Sequence, residues 1–165
     1  MALDIPAGTR LFVDANIFHY AFVPTFDISP VCQQLLERIE AGEVKAVVSP
    51  QVIADTVHKV MCSEAVAKFR RERQGLMSWL KQHPLQIAEL TEYGRAQAHL
   101  ETLTLEVLST DMAVINEAAR ISKVSGLLTG DAVIVALMRR HNIQHIATND
   151  NDFDRVTGLR VWKPR

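Results

Sequence analysis

Short apolar runs alternate along this chain with longer segments of helical periodicity, and this alternation limits the possible folds more than any other feature. The first run ends at Asp14 and the second ends at a Ser-Pro pair, as short buried strands commonly do. Five such runs are predicted to be strands, at 11–13, 45–48, 103–108, 143–148 and 159–162. Strands that alternate with helices are typical of a parallel sheet covered by helices. The sequence therefore predicts an α/β fold.

The intervening helices carry recognisable start signals. Ser-Pro pairs at 29–30 and 49–50 each offer an N-cap followed by proline at the first helical position. Asp111 is predicted to cap another helix, and 131–140 is predicted to be a helix with an inward apolar stripe. The helix that starts near 50 is followed by a charged helical stretch, which is predicted to continue to Pro84.

Length and composition indicate one globular domain. The chain has 165 residues, 48% of them apolar. We expect a single domain over 1–165 with a helical extension at about 64–101, no membrane span, no signal peptide and a cytoplasmic location. Cys32 and Cys62 lie among apolar helical residues, so free buried thiols are expected.

The distribution of charge is more informative than its total. The net charge of −1 gives no argument for a polyanionic partner. One dense basic run contains Lys68, Arg70, Arg71 and Arg73. Two interpretations stay open, because such a run either contacts phosphate or forms a solvated helix face.

Aspartates stand at the positions where a parallel sheet forms its functional crevice. In such a sheet the crevice lies outside the carboxyl ends of the strands. Asp14 follows the first strand and Asp150 follows the fourth, so they converge if these strands are neighbours. Asp131, at the start of a helix, and Asp55, past the first turn of the helix that follows the second strand, can join them. Clustered carboxylates repel one another unless a cation compensates, and Mg²⁺ or Mn²⁺ prefers such oxygen ligands. Metal-dependent hydrolysis of a phosphodiester fits this arrangement.

These aspartates lie in four segments that together resemble a known family. The segments LFVDANIF, SPQVIAD, TGDAVIVAL and ATNDNDF are similar to the four acidic motifs of PIN domains, in the same order and over nearly the whole chain. The resemblance implies a three-layer α/β/α fold with a five-stranded parallel sheet of order 3-2-1-4-5. It also implies Mg²⁺- or Mn²⁺-dependent ribonuclease activity and frequent homodimers. Many members of this size are VapC-type toxins that pair with an antitoxin protein.

Carried over to this sequence, the resemblance assigns roles to individual residues. Asp14, Asp131 and Asp150 would be metal ligands, directly or through water. Asp55 would hold the position usually filled by glutamate, a departure that shortens the side chain by one methylene. Three further residues have secondary roles. Asn16 matches a polar residue of the first motif, and Thr148 is expected to orient Asp150 through its hydroxyl. Asp152 is either an extra ligand or a helix cap.

The histidine and aromatic residues are expected to have structural roles. None of the six histidines has a convincing metal-ligand spacing, although His58 lies three residues after Asp55 and could face the cleft. The aromatic residues after the first strand are expected to pack in the core or a dimer interface, with base stacking as the alternative; they are Phe18, Tyr20, Phe22 and Phe26.

The leading interpretation is a toxin of the PIN ribonuclease type, and three alternatives stay open. An RNA-processing nuclease without an antitoxin would carry the same acidic set. A catalytically weak module that binds RNA or protein is suggested only by Asp55. Phosphoryl transfer through an aspartyl-phosphate is disfavoured, because the haloacid dehalogenase-like pattern needs aspartate where Asn16 stands.

Overall fold

The computed structural model describes residues 3–165 and contains one sheet of five parallel strands in the order β3-β2-β1-β4-β5. The strands are β1 (Arg10–Val13), β2 (Lys45–Val48), β3 (Glu106–Val107), β4 (His145–Ala147) and β5 (Arg160–Trp162). The eight α-helices are α1 (Ala15–Phe22), α2 (Ser29–Glu40), α3 (Pro50–Phe69), α4 (Leu76–Gln82), α5 (Pro84–Ala88), α6 (Glu92–Thr102), α7 (Met112–Ser125) and α8 (Thr129–Arg140). The helices surround the sheet, so the expected α/β architecture and strand order are confirmed.

The core forms around the central strands because their residues are apolar on both faces. Leu11, Phe12 and Val13 of β1 are fully buried, as are Val47 and Val48 of β2. Burying an apolar side chain of this size stabilises the fold by about 1.5–3 kcal/mol. The position of β1 between β2 and β4 is therefore strongly determined, and it fixes where the residues after β1 lie.

The third strand is shorter than the sequence predicts. Only Glu106 and Val107 pair with β2, and both are exposed. Leu103 and Leu108 are buried, but Leu103 directly follows α6 and Leu108 lies just beyond the strand. The predicted run of 103–108 was wrong in extent: beyond the two strand residues, only the Leu108 backbone N–H bonds to β2, at the Val48 carbonyl (2.8 Å). The apolar alternation reflects burial of Leu103 and Leu108 on either side of the short strand. The predicted fourth and fifth strands are likewise shortened to the bounds of β4 and β5.

The helix start signals are confirmed at two places and wrong at a third. The Ser49 hydroxyl accepts from the Val52 backbone N–H at 3.3 Å, and the Asp111 carboxylate accepts from Val114 at 2.9 Å. Ser29 is not an N-cap, since it lies inside α2 and its hydroxyl donates to the Val23 carbonyl at 3.0 Å. That bond fixes the turn between α1 and α2 instead of capping the helix.

The stretch predicted as continuous charged helix is interrupted. α3 ends at Phe69, and Arg70 adopts a left-handed conformation with φ of 50°, after which α4 begins at Leu76. The end of α3 packs with the following segments around a small apolar cluster, which contains Cys62, Ala65, Leu76, Leu80 and Leu90. The segment 64–101 therefore brings apolar contacts of its own to α3.

Both cysteines are buried and free, as expected. Burial raises the pKa of the Cys32 thiol to about 12, so it is an unreactive core group. Within residues 3–165, no single helix is long and apolar enough to cross a membrane; α7 and α8 pass that test only as a pair bent by 113°.

Candidate active site

The central strands bring their following residues together at one edge of the sheet. β1 and β4 are neighbours, with Phe12 opposite Ile146 and Val13 opposite Ala147. The Asp14 backbone N–H continues this pairing by donating to the Ala147 carbonyl at 3.0 Å. Residues 148–150 leave β4 at the same edge. The predicted convergence of Asp14 and Asp150 is thus built by strand pairing.

Asp14 is held by two side chains. Its Oδ2 accepts from Asn16 Nδ2 at 2.6 Å and from the Thr148 hydroxyl at 2.6 Å. Burial raises the pKa of Asp14, and nearby Asp150 adds to this rise; the Thr148 hydrogen bond and the charge of Lys59 oppose it. The carboxylate is therefore oriented by its neighbours in an environment that disfavours an uncompensated charge.

Thr148 is fully buried and links the ends of β1 and β4. Besides donating to Asp14, its hydroxyl accepts from the Asp150 backbone N–H at 3.0 Å and from Asn16 Nδ2 at 3.0 Å. The expected contact with Asp150 is present, but it involves the backbone rather than the carboxylate. Thr148 thus fixes the backbone at Asp150, and the carboxylate that it orients directly is that of Asp14.

Three aspartates form a close carboxylate cluster. One carboxylate oxygen each of Asp131, Asp150 and Asp152 lies within 4.8 Å of the other two, and all three residues are half-buried. Asp131 comes from the first turn of α8, while Asp150 caps a short 3₁₀ helix (Asn151–Arg155) by accepting from the Asp152 N–H at 2.8 Å. Asp152 is also ion-paired with Arg155. The structure therefore places Asp152 at the site, while the helix cap is Asp150.

The carboxylate cluster perturbs the protonation of Asp131. Burial, followed by the charges of Asp150, Asp14 and Asp152, raises the pKa of Asp131 to about 6. A perturbed carboxyl in a cleft is a common property of functional sites. The charged groups that raise this pKa are all carboxylates, so a cation placed among them would offset their mutual repulsion.

Asp55 faces the same cavity from the other side. The cavity has a volume of about 180 Å³ and is lined by all four aspartates of the predicted site together with Asn16 and Lys59; these aspartates are Asp14, Asp55, Asp131 and Asp150. Asp55 does not belong to the close cluster, and its Oδ1 accepts from Gln51 Nε2 at 2.8 Å. The predicted residues therefore surround one cavity, with Asp55 at its periphery.

Sequence reasoning missed Lys59. It lies on α3 one turn after Asp55 and lines the acidic cavity. Its positive charge opposes the rise in the pKa of Asp14 and contributes to the lowering of the pKa of His19. The spacing of four residues from Asp55 was the available signal, because residues four apart share one helix face. By contrast, His58 is exposed and its Nε2 contacts Cys62 Sγ at 3.6 Å, and His58 does not line the acidic cavity.

A parallel α/β sheet with a carboxylate cluster beyond its central strands is the architecture of the PIN domain. The sequence matches the PIN domain family over residues 11–159. The chain belongs to this family, which confirms the resemblance of its four acidic segments.

Individual relatives cover nearly the whole chain. Ribonuclease VapC6 of Methanocaldococcus jannaschii is 24% identical over 155 residues, covering 94% of this chain and 97% of the relative. The structure of Mycobacterium tuberculosis VapC20, described as a sarcin-ricin loop cleaving toxin, superposes with a TM-score of 0.62 at 15% identity, over 92% of this chain and 98% of that one. The structure of Rickettsia felis VapBC2, bound to a DNA fragment from its promoter, gives a TM-score of 0.55 at 15% identity, over 93% and 99%.

Proposed function

We propose that this protein is a metal-dependent endoribonuclease and the toxin of a toxin–antitoxin pair. The observation that carries the proposal is the close cluster of Asp131, Asp150 and Asp152 beside Asp14 in a PIN-family fold. Relatives named as a ribonuclease and as an RNA-loop cleaving toxin support RNA as the substrate.

The donor chemistry of the site fits a hard divalent cation. All the clustered donors are carboxylate oxygens, which suit Mg²⁺ and Mn²⁺ and not softer ions. Asp131, Asp150 and Asp152 would hold the ion, with Asp14 and Asp55 facing the same cavity. When bound, the ion would supply Lewis acidity toward the scissile phosphate and activate water for hydrolysis.

The protein's own residues orient this site and balance its charge. Thr148 and Asn16 hold the Asp14 carboxylate in one orientation. Lys59 brings positive charge to the wall of the acidic cavity, where it would attract an RNA phosphate that the aspartates alone would repel. The raised pKa of Asp131, caused by burial and acidic neighbours, couples cation binding to release of a proton near neutral pH.

The proposed partners are an antitoxin protein and a second copy of this chain. The antitoxin is supported by the similar fold of a chain in a toxin–antitoxin complex from Klebsiella pneumoniae, which superposes with a TM-score of 0.55 over 92% of this chain. A second copy of this chain is supported by exposed apolar side chains that a dimer interface would cover. Met112 and Ile115 are exposed one turn apart on α7, and Leu128 is exposed just before α8. The aromatic run near residue 20 gives little support, because Phe18 is buried in this protein's own core. We propose the cytoplasm, where RNA is found, as the site of action.

Cleavage of a labelled structured RNA in the presence of Mn²⁺ tests the enzymatic proposal. Wild type is expected to cleave it, and Asp14→Asn and Asp150→Asn are each expected to lose the activity. Asp4→Asn is a matched control, since it makes the same substitution at an exposed aspartate that does not line the acidic cavity. Cleavage that persists in both aspartate variants would come from a contaminating nuclease and would overturn the assignment. RNA binding without any cleavage would instead favour the binding-module alternative.

A further inference from the structure

A chain of contacts leads from the acidic site to a second, larger cavity. The Asn149 backbone N–H donates to Asn16 Oδ1 at 3.1 Å, and the Asn149 side-chain amide contacts the Tyr20 hydroxyl at 3.5 Å. The Tyr20 ring meets Phe26 edge to face, with ring centroids 4.9 Å apart. Phe26 lines a cavity of about 720 Å³ between the end of α1 and α3, the α1–α3 cavity. This cavity is therefore connected to Asp14 through residues in direct contact, by way of Asn16, Asn149 and Tyr20.

The α1–α3 cavity has an apolar wall with an aromatic surface. Its apolar lining comes from the turn after α1 and from α3, and it includes Phe22, Val23, Pro24, Phe26, Val66 and Ala67. Its volume is in the range of cavities that hold small organic molecules. Phe26 is only half-buried, unlike Phe18, so part of its ring faces the cavity. A flat apolar group such as a nucleobase suits this surface, because every base has a π face that stacks on aromatic rings.

Two cations without acidic partners accompany this route. Within residues 3–165, no carboxylate oxygen lies within 4.0 Å of the charged nitrogens of Lys59 or Arg73. Lys59 lines the acidic cavity, and Arg73 lines the α1–α3 cavity. Burial lowers the pKa of His19 to about 4, and the charges of Lys59 and Arg73 contribute to this shift. The His19 ring lies 5.3 Å from that of Phe26. Both cations therefore act electrostatically on the region between the two cavities.

The acidic side chains at the α1–α3 cavity are already engaged. Glu64 accepts from the backbone N–H groups of Thr91 and Glu92 at the start of α6, where a negative charge is favourable. Glu92 is itself ion-paired with Arg95 at 2.9 Å. The Arg73 guanidinium is thus left to bind an external anion. A polyanion with flat apolar groups, which is single-stranded RNA, complements both the charge and the wall of this cavity.

We propose that the α1–α3 cavity binds an unpaired base of the RNA substrate on Phe26, while Arg73 and Lys59 bind phosphates between that base and the scissile bond. The proposal rests on the proposed ribonuclease function and adds a substrate requirement to it. Along α3, Asp55 and Ser63 are about 12 Å apart by helical rise, so the bound base belongs within a few nucleotides of the cleaved phosphate. The enzyme would then favour RNA with an unpaired nucleotide at that position.

Binding measurements in a non-cleaving background test this subsite. The Asp131→Asn variant is titrated against a short fluorescein-labelled single-stranded RNA of random sequence and against the same backbone without bases. Tighter binding of the base-containing probe is expected, by about 5- to 30-fold. Phe26→Leu keeps an apolar side chain of similar bulk but removes the ring, and it is expected to reduce that preference by about 5-fold. Arg73→Ala is expected to weaken both probes equally and to lower the salt dependence of binding.

Arg71→Ala is the matched control, since it removes the same charge two residues away, where Arg71 lies over the Trp79 ring at 4.7 Å. Thermal unfolding checks that each variant folds. If the Phe26→Leu and Arg73→Ala variants bind both probes with the same affinities as the Arg71→Ala variant, the proposed subsite is contradicted. Cleavage of the same RNA by the wild-type protein with Mn²⁺ is measured separately. Cleavage that is insensitive to both substitutions overturns the subsite alone, whereas a base preference that depends on Phe26 without any cleavage overturns only the nuclease.

Discussion

The Thr148 hydroxyl donates to Asp14 Oδ2 at 2.6 Å and so joins the residue that follows β1 to the end of β4. The Thr148 side chain is fully buried, and the same hydroxyl accepts from the Asp150 backbone N–H. One side chain therefore fixes both the carboxylate of Asp14 and the backbone from which the Asp150 carboxylate projects. Groups that hold metal-binding carboxylates in this way commonly affect metal affinity as much as 10- to 100-fold.

Replacement Thr148→Val is expected to weaken the site while keeping its shape. The variant removes the donor to Asp14 and leaves the Asp150 N–H without its acceptor, at a cost of about 1–3 kcal/mol in unfolding free energy. Mn²⁺ affinity, measured by isothermal titration, should fall by about 10-fold. Thr148→Ser keeps the hydroxyl and is expected to retain most of the affinity. Equal Mn²⁺ affinity in wild type and Thr148→Val would contradict the orienting role.

Asp131→Asn is expected to stabilise the metal-free protein near neutral pH. The pKa of Asp131 is raised from 3.8 to about 6 by burial and by neighbouring carboxylates, so its ionised form is less favourable in the folded state than in the unfolded chain. The wild-type protein therefore loses stability as pH rises from about 4 to about 6. Allowing for solvent screening, the advantage of the variant at pH 7 should be on the order of 1 kcal/mol.

Urea unfolding in EDTA measures this effect directly. The difference between wild type and Asp131→Asn should shrink as pH falls from about 6 to about 4, because over this range the folded wild-type protein takes up a proton on Asp131 while the unfolded chain stays largely ionised. Added Mn²⁺ should stabilise the wild type more than the variant, because only the wild type keeps all three clustered carboxylates. A difference that is independent of pH would show that repulsion in the carboxylate cluster is not its cause.

The sequence predicted the sheet well because its central strands combine two independent signals. The β1 residues are apolar on both faces, and Asp14 follows them at the point where a crevice was expected. β3 has neither signal: it has two exposed residues and pairs only with β2, so its extent depends on tertiary contacts. Local pattern therefore fixed the position of the acidic site more reliably than the edge of the sheet.

The hydrogen-bond partners within the site were less predictable. Thr148 was expected to serve the carboxylate of Asp150, but that assignment depends on how β1 and β4 are aligned. The alignment is a long-range property, since Asp14 and Thr148 are 134 residues apart. Lys59 was overlooked for a related reason, because a lone lysine on a helix has meaning only once its face is known to point at the aspartates.

His19 is expected to make the protein sensitive to acid. Burial and the charges of Lys59 and Arg73 lower its pKa from 6.5 to about 4, so the folded state holds the neutral ring. As pH falls below about 6.5 the unfolded chain binds a proton first, and stability declines until about pH 4. His19→Gln can keep the hydrogen bond to Ser63 and should remove a part of this decline, on the order of 2 kcal/mol. Urea unfolding over this pH range measures it, and parallel wild-type and variant profiles would contradict it.

Substitution of Asp55 tests whether the close cluster alone makes up the proposed metal site. It faces the acidic cavity from α3 but lies outside the cluster of Asp131, Asp150 and Asp152. Asp55→Asn keeps the shape and can still accept from Gln51, so we expect Mn²⁺-dependent RNA cleavage to fall by about 10-fold, against at least about 100-fold for Asp131→Asn. Asp55→Glu extends the carboxylate by one methylene toward the cavity and is expected to retain or raise the activity.

The ratio of the Asp55→Asn and Asp131→Asn effects is the informative quantity, because both substitutions remove one negative charge from the same cavity. A loss in Asp55→Asn as large as that in Asp131→Asn would mean that Asp55 moves into the cluster when the cation and RNA bind. Loss of activity in Asp55→Glu would instead mean that the shorter side chain, held by Gln51, is required at this position. Cleavage rates measured at saturating Mn²⁺ separate these effects on the reaction from simple weakening of metal affinity.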